Sequence, residues 1–353
     1  MSLSPYIVLK FGGNSQCLSG VNIFLKKINE YTESGYKVFV VISAVQKTTN
    51  SLYAITNYEF ERYNEIYNIH ENYCKEIGID FDDESMGELR TTVKTLLQEL
   101  KYAVDDFKNK PTVDMCQQRL KIISFGEQLA SLIVSKFLSK NGMNNTLLNA
   151  HHFMKNKSPS MAIDVSSLII KGEFYCDRTI LDIFLKSGNV FVTQGFIAST
   201  SDMKYCILTR SGSNTSASLI ANILDASRLE IWSDTNGLFT ADPRKIENAK
   251  LIKDITYKMC QEASAVGTQM IHPYSIKPCS EKKIPIHIKN TFCPEEIGTV
   301  INCHDKEHMH KSYMISYQGN ITVFKISSMD MWEGHGFVSD IFSVFGNEKI
   351  DVD

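Results

Sequence analysis

Tyr6-Ile-Val-Leu-Lys10-Phe-Gly12-Gly13-Asn14-Ser15 places a lysine and two glycines at the end of a short apolar run. Glycines at such a turn let backbone N–H groups approach a bound anion, and the lysine adds a mobile positive charge. Together they can cradle a phosphate. The spacing is not that of a P-loop, G-x-x-x-x-G-K-[ST], and most Lys-x-Gly-Gly turns, taken alone, are only turns. Four further stretches carry suitable groups. Ser43-Ala44 through Thr49-Asn50 is rich in small and hydroxyl residues. Glu127, after Gly126, reads either as a first-turn acid answering a helix dipole or as a carboxylate for an amino group. In the run from Thr209 to Ala217, Arg210 suits a bidentate grip on a carboxylate, and the small residues behind it suit a second anion site at a helix start. Ser233-Asp234 at a strand end suits a nucleotide, whereas Asp242-Pro243-Arg244 reads equally as a tight turn with a local ion pair.

The elements that must position these groups alternate in type. Residues 7–9 read as a buried strand. Val21, Phe24, Leu25 and Ile28 have helical spacing, and that helix would aim its N-terminus at the glycine turn. Residues 38–42 form a fully apolar strand, as in a parallel sheet covered on both faces. Ligands bind open sheets of this kind outside the carboxyl ends of the strands, where Ser43 and its neighbours fall. Residues 53–107 read as a helical excursion, a lid or a dimer surface. Glu127 is expected at a turn entering a helix. Further strands are expected near 145–148, 190–197, 229–232 and 285–288, and helices over 217–226 and 263–270, the last stopped by His272-Pro273. A polar stretch from 302 to 311 marks a boundary. Strand, helix and strand start follow at 321–326, 336–345 and 350–353. The fold class is α/β, with three layers around a mostly parallel open sheet.

The composition is that of a folded chain, 43% hydrophobic and 22% charged over 353 residues. A net charge of -3 argues against nucleic acid as the main partner. No run of about 18 uninterrupted apolar residues stands out as a membrane span, and no secretory signal is visible. The nine cysteines are scattered without a C-x-x-C pair, which points to free thiols in a reducing cytoplasm. His304, His308 and His310 read as a polar linker, and no resident metal site is expected.

Several of these motifs, in this order, resemble the aspartate kinases of the amino-acid kinase superfamily, over about residues 5–302. Lys10 to Ser15 resembles K-F-G-G-T-S. Ser43-Ala44 with Thr49-Asn50 resembles S-A-x-x-x-x-T-N, Gly126-Glu127 resembles G-E before a helix, and Gly195-Phe196-Ile197 resembles G-F-I. Thr209 to Ala217 is similar to G-R-G-G-S-D-T-T-A, and Trp232 to Arg244 to W-T-D-x-x-G-x-Y-T-x-D-P-R. The H-P and P-x-x-I-x-N-T-F segments correspond to His272-Pro273 and Pro285 through Phe292. The resemblance implies the amino-acid kinase fold, with an amino-acid-binding part at about 1–200, a nucleotide-binding part at about 201–302 and a linker at 303–312. It implies transfer of the ATP γ-phosphoryl group to the β-carboxylate of L-aspartate, with Mg²⁺, opening lysine, threonine and methionine synthesis. It also implies a homodimer or larger homo-oligomer. Carried over, Lys10 and Asn214 would be catalytic. Gly12, Gly13, Ser233, Asp234, Phe239, Arg244, Gln269 and Met270 would face the nucleotide. Ser43, Ala44, Thr49, Glu127, Phe196, Arg210 and Ser213 would hold the amino acid.

The chain departs from the family pattern at Asn14 for Thr, Ser211 for Gly, Gln269 for Lys and Asn214 for Asp. The last removes a carboxylate that would orient the cleft cations. A homologue that binds ligand without turnover, or a kinase of another acidic amino acid, therefore stays open. Residues 313–353 resemble the opening half of an ACT regulatory domain.

Overall fold

The computed structural model describes residues 4–81, 92–110, 114–157, 173–186, 188–208, 211–265, 271–303, 314–315, 322–327, 336–348, 350 and 352. The chain divides into two compact units, 1–317 and 318–353.

The first unit begins with β1 (Tyr6–Phe11), a single turn of 3₁₀ helix (Gly13–Ser15), α1 (Leu18–Glu33) and β2 (Lys37–Ile42). β1 and β2 pair in parallel, Tyr6 opposite Lys37 through Phe11 opposite Ile42. Apart from Lys10 and the leading Lys37, the two strands are apolar because each has two covered faces. Ile7, Leu9 and Phe11 pack on one side with Val38, Val40 and Ile42, while Val8, Phe39 and Val41 pack on the other. This alternation is the period-two geometry of a strand between two helix layers. Gly35, at a φ of 83°, ends α1 as a residue without Cβ can.

A helical layer follows: α2 (Thr48–Thr56), α3 (Arg62–Ile77), α4 (Val93–Asn109) and α5 (Met115–Lys140). The described residues between 53 and 107 are mostly helical, as expected, but these helices are no detached lid. Ile66, Tyr73, Leu97, Leu100 and Phe107 are buried in the same core as Phe24 and Leu9. α5 runs unbroken for 26 residues, so Glu127 lies in mid-helix and not at a helix start. The first-turn reading of Glu127 therefore fails. Among the described residues α5 is also the one helix long and apolar enough to cross a membrane by length and composition, and 83% of its most apolar window is buried inside the protein.

The remaining elements complete two sheets. β3 (Thr146–Leu148), α6 (Ala150–Phe153), β4 (Met154–Asn156), β5 (Phe174–Cys176) and α7 (Arg178–Phe184) lead to β6 (Val190–Gln194). β7 (Ile197–Ser199), β8 (Tyr205–Ile207) and α8 (Gly212–Ile223) lead to β9 (Arg228–Ser233). β10 (Asp254–Thr256), α9 (Tyr257–Ala265), α10 (Pro273–Glu281), β11 (Ile286–Asn290) and β12 (Thr299–Asn302) follow. The main sheet has the order β10-β12-β11-β9-β1-β2-β6-β3. Only the β11–β12 pair in it is antiparallel. A small sheet, β5-β4-β7-β8, stands beside it. α8 begins at Gly212, ahead of the expected 217; α9 covers the start of the helix expected over 263–270, the rest of which lies outside the described residues, and His272-Pro273 opens α10. Pro273 sits in the first turn, where its missing N–H is harmless, and the His272 ring accepts from the Tyr274 N–H.

In the second unit, α11 (Phe337–Asn347) matches the expected helix. Residues 322–327 form no strand, against expectation. The Phe324 and Phe345 rings meet edge to face with centroids 5.4 Å apart.

Candidate active site

β1 pairs with β2 on one side and with β9 on the other, both in parallel. The chain therefore leaves the carboxyl end of β1 between two strands whose connections go opposite ways, the place where open α/β sheets form a crevice. A pocket of about 320 Å³ lies there. Lys10, Gly12, Gly13 and Asn14 line it from β1, and Ser233 and Asp234 from β9. Ala44 to Lys47, Thr49 and Asn50 line it from the end of β2 and the first turn of α2.

Close approach explains both glycines. A Cβ on Gly12 would come within 2.9 Å of the Trp232 carbonyl oxygen, and one on Gly13 would overlap the Ala44 carbonyl. The two are not equivalent donors, which corrects the sequence expectation. The Gly12 N–H donates to Trp232 O at 3.0 Å and is committed to the fold, leaving Gly13 as the glycine of the pair that can serve a ligand. The dipole expectation is corrected too. The first N–H of α1, on Leu18, donates to the Glu76 carboxylate at 2.9 Å. The helix that opens onto the pocket is α2.

Lys10 lines the pocket floor, and its desolvated surroundings push its amine down to about 8 despite the attraction of Asp234 and Glu127. Burial pushes the Glu127 carboxyl up to about 8, against a hydrogen bond from Ala44 and the nearby Lys10 charge. Glu127 Oε1 accepts from the Ala44 N–H at 3.3 Å, while Oε2 is buried with no hydrogen-bond partner. Asn14 Nδ2 donates to Asp234 Oδ2 at 3.0 Å, tying the β1 turn to the end of β9.

Phe196, Ser213 and Asn214 form a neighbouring group. The Phe196 N–H donates to Ser216 Oγ at 3.0 Å, and a Cβ on Gly195 would meet Ser213 at 2.6 Å. The Gly195 N–H donates to Ile42 O, so the start of α8 sits against the carboxyl ends of β2 and β6. Asn214 is buried, with Oδ1 unpartnered. Ser43 is adjacent to Ala44, and its carbonyl accepts from Gln16 at 2.6 Å.

Of the expected site residues, Lys10, Gly12, Gly13, Ala44, Thr49, Ser233 and Asp234 line the pocket. Ser43, Glu127, Phe196, Ser213, Asn214, Phe239 and Arg244 do not line it. Phe239 pairs with Leu251, and exposed Arg244 forms a bidentate pair with Asp242 at 3.0 Å, the local-turn reading. Arg210, Gln269 and Met270 lie outside the described residues, as do the three linker histidines. The sequence reading missed Val45, Gln46, Lys47 and Asn50 as lining residues. Their positions within the S-A-x-x-x-x-T-N segment were the available signal.

The sequence model of the amino acid kinase family matches residues 5–290. The chain belongs to the amino acid kinase family. Relatives with curated names are aspartokinases, as the motifs implied. A bifunctional aspartokinase/homoserine dehydrogenase of Buchnera aphidicola subsp. Acyrthosiphon pisum is 30% identical over 97% of the chain. The chain spans 42% of that protein's length. An aspartokinase of Chlamydia muridarum is 26% identical over 84% of the chain, which spans 63% of it. Among solved structures, Escherichia coli aspartokinase III in complex with aspartate and ADP aligns with a TM-score of 0.74 at 22% identity. That alignment covers 99% of this chain and 75% of the other, and it shows a shared fold.

Proposed function

We propose that this amino acid kinase transfers the γ-phosphoryl group of ATP to the β-carboxylate of L-aspartate, giving 4-phospho-L-aspartate and ADP at the head of amino-acid biosynthesis. The observation that carries the reading is a buried cation, Lys10, lining the pocket, with a buried carboxylate, Glu127, held behind the pocket-lining Ala44 and near enough to feel the Lys10 charge. A desolvated cation stands at the glycine turn, and a buried carboxylate with one unpartnered oxygen stands behind Ala44. An α-amino acid supplies what Glu127 lacks, an ammonium donor, and the triphosphate supplies what Lys10 lacks, an anion. The names of the relatives and the aspartate and ADP of the Escherichia coli complex support the choice of ligands.

In this reading a β-carboxylate oxygen attacks the γ-phosphorus, and the bond to the β,γ-bridging oxygen breaks. Both acids are already ionised, so no general base is needed. Catalysis is positioning plus electrostatic stabilisation. Lys10 neutralises charge on the moving phosphoryl, the Gly13 N–H assists it, and Glu127 fixes the acceptor's ammonium. Thr49 and Ala44 bound the acceptor, and Ser233 and Asp234 bound the donor. Mg²⁺ would enter with the substrate as MgATP. Arg210 would hold the α-carboxylate.

The test is phosphoryl transfer from MgATP, trapped as aspartyl hydroxamate, with Lys10→Met as control. The reading requires turnover that falls by about a hundredfold or more in Lys10→Met. No hydroxamate with any acidic amino acid defeats it. Asn214, uncharged where the family pattern has Asp, favours a second reading: a ligand-binding homologue without turnover. Activity appearing only in Asn214→Asp would establish that reading.

A further inference from the structure

We infer that Lys47 is a specificity-determining residue for the reaction proposed above, and that its amine steadies the acidic acceptor against the incoming phosphoryl group. Two lysines line the described pocket, Lys10 on the floor and Lys47 on the wall formed by the Ala44 to Asn50 segment. Lys47 breaks two local rules at once. Its φ of 64° and ψ of -16° are left-handed, a conformation that disfavours any residue with a Cβ by about 1 kcal/mol and favours glycine. It is also the N-cap of α2, where the helix dipole disfavours a cation and where a hydroxyl or carboxylate side chain is the stabilising choice. Its side chain makes no cap hydrogen bond, and no described residue forms an ion pair with it. Neither penalty is offset by a side-chain contact among the described residues.

Both features act in one direction on the pocket. The positive end of α2 and the Lys47 charge add where two anions must be brought together. Lys10, lowered to about 8 by desolvation, still carries its charge at pH 7, but in the proposed reaction that charge answers the phosphoryl group. Asp234, just past the end of β9, also lines the pocket and is already bridged to Asn14. Lys47 lines the pocket in the same segment as Ala44 and Thr49, and Ala44 is the residue whose N–H donates to the Glu127 carboxylate that would hold the acceptor's ammonium. A dicarboxylic amino acid seated against Glu127 by its ammonium leaves an acidic side chain to be balanced. Lys47 is the described pocket cation in that segment.

The experiment compares Lys47→Gln, Lys47→Gly and Lys47→Arg with the unmodified chain. Gln keeps the Cβ and the backbone strain but removes the charge. Gly removes both. Initial rates are measured against L-aspartate and against MgATP, with binding of L-aspartate in the presence of a non-hydrolysable ATP analogue measured by calorimetry. The expected result is a loss of about tenfold in kcat/KM for aspartate in both Gln and Gly, recovery to within about threefold in Arg, and KM for MgATP changed less than twofold. Unchanged aspartate kinetics in Gln and Gly, with Gly merely more heat-stable, would overturn the inference and leave Lys47 a strained surface residue. A chain that binds aspartate without turnover, with binding weakened in Gln and Gly, would sink the kinase reading and keep the role of Lys47. Equal binding by all four proteins would overturn that role whatever the turnover.

Discussion

Glu127→Gln exchanges a buried, ionisable group for a neutral one of nearly the same shape. The amide oxygen can still accept from the Ala44 N–H, so the change is mainly one of charge. The folded carboxyl is raised from 4.5 to about 8 by burial. A raised pKa means that the protonated form is the one the fold tolerates. The favourable contribution is then complete below pH 4.5 and is lost as pH rises through 8. From these two values the loss is under about 1 kcal/mol at pH 5, about 3 kcal/mol at pH 7 and just under about 5 kcal/mol at pH 9. Glutamine does not titrate and escapes it. Denaturant midpoints should thus favour Glu127→Gln increasingly between pH 5 and pH 9, by at least about 2 kcal/mol after allowing for the lost attraction to Lys10. The same variant should bind aspartate more than tenfold more weakly, because the ammonium loses its carboxylate. Stability curves for the two proteins that run parallel from pH 5 to 9 would refute the claim that this carboxyl is desolvated.

Two further outcomes follow from the same geometry. At pH 7 the empty site holds Glu127 mostly protonated, so an ammonium ligand that needs the ionised form should expel close to one proton per molecule bound. Calorimetry in buffers of different ionisation enthalpy measures this, and Glu127→Gln should release none. Gly13→Ala puts a methyl group onto the Ala44 carbonyl, backbone against backbone, and should destabilise by about 2 to 4 kcal/mol with loss of nucleotide binding, read from denaturant midpoints and a nucleotide titration.

The strands of the main sheet were legible because they are covered on both faces. A run such as Val38 to Ile42 leaves no other reading. The glycine turn was legible for a related reason: only residues without Cβ fit against Trp232 O and Ala44 O. Glu127 was misplaced because a single helix turn of mixed residues, Ser124-Phe-Gly126, looks like a break when the covering helices α2 and α4 are unseen. The helix start chosen for the anion site was wrong because Glu76, far along the chain, fills the end of α1. The role of Gly12 as a fold donor depends on Trp232 O, which no local pattern could supply. Lys47 escaped notice because backbone conformation at a lysine leaves no mark in composition. The pairing of Arg244 with Asp242 was one of two open readings, and an isolated exposed pair is what proximity in sequence favours.

β1 is made long before β9, 228–233, and is hemmed in on both sides only when β9 takes its place. At about 5 to 20 residues per second, the ribosome needs on the order of ten seconds or more to deliver that neighbour. Throughout that interval the backbone of Tyr6, Val8 and Lys10, on the side of the strand that β9 will cover, is an unpaired border that any other extended chain could zip onto. The pocket lysine, Lys10, thus rides on the segment most in need of protection while the polypeptide is being born. Conditions that slow translation between 40 and 228 should lower the yield of soluble protein before they touch its turnover.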